Sequence, residues 1–208
     1  MAGLLLKDIY NLRKYGKSII FVLFCYSFLG FTMDSTFIVG LIGFFFAILI
    51  LSTFSYDDTS KWDRYAAAMP VYRKQIVLAK YLLAFLLAVI GIGVGFVFSY
   101  VINFIQHVPF DSTILVVGYT VFLVILFYMS ILFPLVYRFG VEKSRMLLMV
   151  IFLIPFLAIM GLSSMSTDLP AVSEVAVKTA LYVAPLLIFV LYVISYFISC
   201  RIFQKKDL

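Results

Sequence analysis

Ser60 and Asp63 stand three residues apart ahead of Pro70, and Trp62, Tyr65, Ala66 and Met69 fall between Ser60 and the proline at helical spacing. An S-x-x-D pair is a helix start signal, proline is a stop, and positions i, i+3, i+4 and i+7 share one face. Residues 58–70 are therefore predicted to form a short helix with an aromatic face. The chemistry of such a face is adhesion: buried aromatics anchor protein interfaces, and exposed ones settle at membrane headgroups. Lys61, Asp63, Arg64 and Arg73 surround it with charge of both signs.

Residues that break bonds are missing from the chain. Its single histidine, His107, falls at the boundary of an apolar run, without the partner ligands of a metal site or the nucleophile of a serine hydrolase. Cys25 and Cys200 fall on different predicted helices without metal spacing, so they read as small apolar residues. The chain has no G-x-x-x-x-G-K-[ST] phosphate loop, so ATP hydrolysis by that route is not expected of it. Asp34, Asp111, Asp168 and Glu174 flank the apolar runs on one side; Asp57, Asp58 and Asp63 flank them on the other. No carboxylate is left near a membrane midplane, where a proton- or sodium-coupled carrier needs one. Neither an enzyme active site nor a cofactor or metal site is expected here, and no ring of charge or filter signature suggests a passive channel.

The elements that must position the aromatic face are membrane helices. Of the 208 residues, 65% are hydrophobic and 12% charged, too little charge to clothe a soluble surface. Apolar runs cover 18–33, 36–56, 76–106, 113–137, 146–163 and 179–200. Runs of about 18 residues or more cross a ~30 Å hydrocarbon core as helices, and lipid forces the backbone to satisfy its own hydrogen bonds. The strict alternation of a membrane β-barrel is absent. The prediction is one all-α transmembrane domain over 1–208 with six spans. The first run follows a basic segment and lacks a cleavage pattern, so it reads as a span and not as a removed leader.

Within this layout, residues 1–17 are predicted to form an interfacial helix with Leu5, Ile9 and Leu12 on its apolar face and a break near Gly16. Gly40 and Gly43 offer a close contact on the second span, and Gly91 and Gly95 form a G-x-x-x-G pair on the third. The third run is too long for the bilayer, so Lys80 near its start is expected to snorkel to the headgroups. Pro155 predicts a kink in the fifth span, and 171–178 a short helix outside it. Fifteen of the sixteen Lys and Arg residues fall on one side of the six-span pattern, in alternate gaps or, for Lys80, near the start of the third run, Lys178 being the exception. That bias puts both termini and the 58–70 segment in the cytoplasm. It also accounts for the net charge of +6 without nucleic acid.

The stretch Tyr56 to Tyr81, with Trp62, Met69-Pro70-Val71, Arg73, Val77 and Lys80, resembles the loop between spans two and three of small bacterial ABC-2 type permeases. The closest group is that of the exporters of cytolytic peptides, bacteriocins or peptide antibiotics. The resemblance implies an interfacial helix, six spans, a cytoplasmic coupling helix over 58–70 and a broken fifth span with an outer helical segment. Met69 replaces a common Leu, and Tyr72 a common small residue. It implies a separate cytoplasmic ATPase carrying ATP and magnesium, docked on Lys61, Trp62, Asp63, Arg64, Tyr65, Met69, Pro70 and Arg73. A second permease copy, identical or similar, would close a substrate path for amphipathic or lipid-like cargo, with Ser99, Tyr100, Asn103, Thr120, Tyr128 and Ser130 as candidate lining. Ordinary interhelical hydrogen bonding is the competing role for each of those six. A non-transporting scaffold or immunity protein remains the alternative function.

Overall fold

The computed structural model describes residues 2–30, 34–62, 65–66, 72–109, 111–165 and 174–205. Among them run α1 (Ala2–Arg13), α2 (Gly16–Gly30), α3 (Ser35–Thr59), α4 (Arg73–Gln106), α5 (Thr113–Phe139), α6 (Val141–Met165) and α7 (Glu174–Gln204), with no strand among the described residues. Among the described residues, four helical segments are long and apolar enough to cross a membrane: Ser35–Thr59, Arg73–Gln106, Thr113–Phe139 and Leu181–Gln204. They match the second, third, fourth and sixth expected runs to within a few residues. The first run is represented by α2, whose 15 residues reach only ~22 Å; positions 31–33 lie outside the described residues.

α3 is the hub, touching α1, α2, α4, α5 and α6. Its contact with α4 is the most extensive in the molecule and runs antiparallel in a steady register. A Cβ placed on Gly95 would come within 3.0 Å of the Val39 Cα, and one on Gly91 within 2.7 Å of the Phe46 Cβ. The G-x-x-x-G pair thus lets two helix backbones approach where any larger residue would hold them apart. Gly43 lies on the same seam against Ile92 of α4 and Ile125 of α5, whereas Gly40 meets only Val121 at 3.8 Å. Neither glycine serves the α2–α3 hairpin suggested by its short connection. α7 covers α5 and α4 and leaves most of its own surface, including Phe189, Val190 and Phe197, exposed.

Three expectations are corrected. The helical backbone of α6 runs unbroken through Pro155 from Val141 to Met165, so the fifth span is not broken. Proline removes one backbone donor, and a membrane bundle tolerates that loss where its neighbours absorb it. The outer helix expected over 171–178 is not separate either. From Glu174 onward it is the first turn of α7, while 171–173 lie outside the described residues. The apolar face of α1 is rotated: Leu12 and Asp8 are buried, while Ile9 is half exposed. The helix does break before Gly16, at Lys14 and Tyr15.

Candidate functional site: the charged end of the bundle

α1, the connection after α3 and the end of α7 meet at one end of the bundle. The Nη1 of Arg73 donates to the carbonyl of Gln204 at 2.8 Å. This cation caps the last turn of α7, where helix carbonyls lack partners. Sequence grouped Arg73 with a docking rim; in the fold its guanidinium ties the start of α4 to the end of α7.

The connection itself departs from the predicted capping box. The hydroxyl of Ser60 donates back to the Tyr56 carbonyl at 2.8 Å, and that of Thr59 to the Ser55 carbonyl at 2.8 Å. Ser60 therefore closes α3 and does not open a new helix. Lys61 follows with φ 51°, the left-handed conformation that ends helices, and its amide donates to the Asp58 carbonyl. The backbone is helical again at Trp62, Tyr65 and Ala66. These three do not share one environment: Ala66 is buried, Trp62 is half-buried against the core, and Tyr65 is 64% exposed. Lys61 is exposed. Asp63, Arg64, Met69 and Pro70 lie outside the described residues.

Beneath Trp62 sits a cluster that no spacing rule brought together. Lys80 is buried, 3% exposed; its ammonium donates to Asp8 at 2.9 Å and to the Thr53 hydroxyl at 3.2 Å, and forms an ion pair with Asp57 at 2.7 Å. Three oxygens thus surround its charge. The second oxygen of Asp57 accepts from Lys7 at 2.6 Å, and Lys7 also reaches Asp8 at 3.1 Å. The Thr53 hydroxyl in turn donates to the Ile50 carbonyl. Two cations and two anions make a neutral group, which is how burial of charge is tolerated at all. The snorkelling expected of Lys80 does not occur, because Asp8 and Asp57 offer it better partners than headgroups would. Lys7 stands 4.2 Å above the Trp62 ring centroid, a cation–π contact. A cavity of about 20 Å³, lined by Asp57, Lys80 and Tyr137 among others, adjoins the node and has room for one water.

Farther along, α4, α5 and α7 share an aromatic and hydroxyl cluster. The Tyr81 hydroxyl bonds Ser195 at 2.7 Å and Ser199 at 2.9 Å. Ser195 donates to the Ser130 carbonyl at 2.6 Å, and the Tyr192 hydroxyl to the Tyr81 carbonyl at 2.8 Å. The Tyr81 ring stacks on Phe133 with centroids 4.1 Å apart. Beside it opens a lateral pocket of about 410 Å³ walled by Phe85, Phe189, Tyr192 and Tyr196 among others. Sequence reasoning missed these residues, though Tyr192, Ser195 and Ser199 recur at i, i+3 and i+7 on the last span.

The six candidate lining residues are dispersed. Ser99 and Asn103 are buried one turn apart on the face of α4 that carries Gly95, whereas Tyr100 is exposed. Thr120 and Ser130 donate to carbonyls three residues back, at Val117 and Phe127. Tyr128 lines a separate pocket with Arg145. Among the described residues, Tyr128 is the one of the six that lines a described cavity.

Two groups outside the spans have shifted acidity. Hydrogen bonds from the Thr113 hydroxyl and amide hold the Asp111 carboxyl below the usual carboxylate range, at the start of α5. Burial and a hydrogen bond with Tyr56 push the Tyr15 phenol up, at the α1–α2 turn.

An apolar helical bundle with its only buried ion cluster among the described residues at one end, beside a helical connection, has the makings of a membrane permease. The chain belongs to the ABC-2 family transporter proteins, whose family model matches residues 3–204. It is thus a multi-pass membrane protein and the permease component of an ABC transporter, a class whose ATPase domain is carried by a partner. No curated protein and no solved structure matched the chain.

Proposed function

We propose that the chain is the permease half of a bacterial exporter of amphipathic peptides, antibiotics or lipid-like cargo, with residues 58–70 as the docking element for its ATPase. The observation that carries this reading is Tyr65. It is a large aromatic side chain left 64% exposed on helical backbone at the charged end of the bundle, where interface anchors are expected. In this reading the charged end faces the cytoplasm of a cell membrane, both termini with it, by the bias of basic residues. α2 and α6 add the remaining crossings, making six, and α2 spans by thinning the bilayer locally. Two copies, or one copy and a similar permease, enclose the path, in keeping with the dispersal of the candidate lining residues over α4 and α5.

The test is recovery of a soluble ATPase with the tagged chain. Wild-type chain is expected to retain one, and Tyr65→Ala to lose it at least tenfold, the scale of a central interface aromatic. Full retention by Tyr65→Ala with Trp62→Ala would refute this docking surface. Reconstitution with ATP and a labelled amphipathic peptide then separates an exporter from a scaffold or immunity protein, since only the former moves peptide when ATP is added.

A further inference from the structure

Resting on that docking surface, we propose that α1 is a strut that positions the docking segment, and that Lys7 is the residue that joins the two. Three segments distant in sequence meet at the node: α1 through Lys7 and Asp8, the end of α3 through Asp57, and α4 through Lys80. Asp57 and Lys80 flank the connection on either side. A force applied to the 58–70 segment reaches α1 through both flanks. The four charges balance and Lys80 is ion-paired with both carboxylates, so partial opening would strand a buried charge. The node therefore moves as a body with the two helix ends it holds.

Lys7 differs from the other three members. Its side chain is 22% exposed, against 4% for Lys80, 2% for Asp8 and 9% for Asp57. Among the described residues its ammonium also meets the face of Trp62 in the segment itself. Removing its ammonium leaves Asp8–Lys80–Asp57 paired, so the bundle keeps its buried bridge. What is lost is the link from that bridge to the docking segment. Losing either lysine leaves two carboxylates sharing one cation, but Lys7 is the more exposed of the two, so its removal is expected to cost the fold less than removal of Lys80, and Lys7 acts as a positioning residue.

Trp62 is the chain's one tryptophan, so its fluorescence reports this contact without a label. The full-length chain, purified in detergent, is compared as wild type, Lys7→Met, Lys7→Arg and Lys17→Met, the last an exposed lysine at the start of α2. In Lys7→Met the emission is expected to shift to longer wavelength and acrylamide quenching to rise about threefold, the scale of a half-exposed cation–π contact. Lys7→Arg and Lys17→Met are expected to match wild type. With the ATPase recovered in the pull-down above, Lys7→Met is expected to bind it but to stimulate its hydrolysis at least about threefold less, for the same reason. Unchanged emission and quenching in Lys7→Met would overturn the proposal, as would a shift of equal size in Lys17→Met. If wild type recovers no ATPase, the docking surface has failed; the fluorescence still decides whether α1 seats Trp62.

Discussion

The two halves of the α3–α4 contact are held together by different forces. In the first half of α3, Val39, Gly43 and Phe46 receive Gly95 and Gly91 with backbones in van der Waals contact. In its last turns, Thr53 and Asp57 face Lys80, and charge takes over. The register continues from one half to the other, so a single helix pair carries both a close-packed seam and an ionic lock. The seam needs only small residues at the right spacing, and lipid supplies no competing attraction between helices. The lock needs a third element, α1, to bring Asp8 and Lys7. Without it one lysine and one aspartate would still pair, but Lys80 would lose one of its three acceptors. The seam is thus complete within the pair, whereas the lock ties the pair to the N-terminal helix and to Trp62.

The largest expected effect falls on the lock. Asp8→Ala strands part of the charge of Lys80 and is expected to cost on the order of 3 kcal/mol in detergent unfolding, as breaking a buried pair does. A loss under about 0.5 kcal/mol, the level of an exposed pair, would mean that the node is solvated and the comparison with the seam void. Next comes the seam. Gly95→Leu places side-chain atoms against the Val39 backbone and is expected to destabilise by about 1–3 kcal/mol, as overpacking does. Gly93, with nothing within 4 Å of a Cβ, is the control. There alanine is expected to be neutral or to stabilise by up to about 1 kcal/mol through helix propensity. Equal effects at the two glycines would remove the distinction between a packing position and a bystander.

The smallest effect sharpens the contrast between buried and exposed charge. The carboxyl of Asp111 is fully exposed and its acidity is raised by Thr113. A carboxylate whose pKa is depressed on folding contributes stability above its unfolded value of about 3.9. That contribution is lost as pH falls through the lower folded value. Protection of the Thr113 amide from hydrogen exchange is expected to fall over that acid range in wild type, and to show no such step in Asp111→Asn. A step that persists in Asp111→Asn would assign it to another group.

Much of the bundle was legible residue by residue. The runs at 36–56, 76–106, 113–137 and 179–200 became membrane-length helices, because apolar length is a local property that lipid reads directly. Gly91 and Gly95 announced a close contact, though not that α3 would fill it. The site was less legible. Ser60 carried a start signal and serves as a stop, because its hydroxyl found the Tyr56 carbonyl of the helix already running. Trp62, Tyr65 and Ala66 had one face by spacing, yet the core below claims the first and third and leaves Tyr65 out. Lys80 looked like a lysine bound for headgroups until Asp8, 72 residues away, was folded beside it.

The sequence by itself determined that this chain is helical and apolar, which of its segments are long enough to cross a membrane, and that its basic residues gather in alternate gaps. Each follows from composition and period along the chain. Only the tertiary structure decided which charges pair, which aromatic stays free and which helix braces the connection after α3. Those outcomes depend on contacts between residues 20 to 70 or more positions apart, and burial beside a partner sets whether a lysine seeks an aspartate or water.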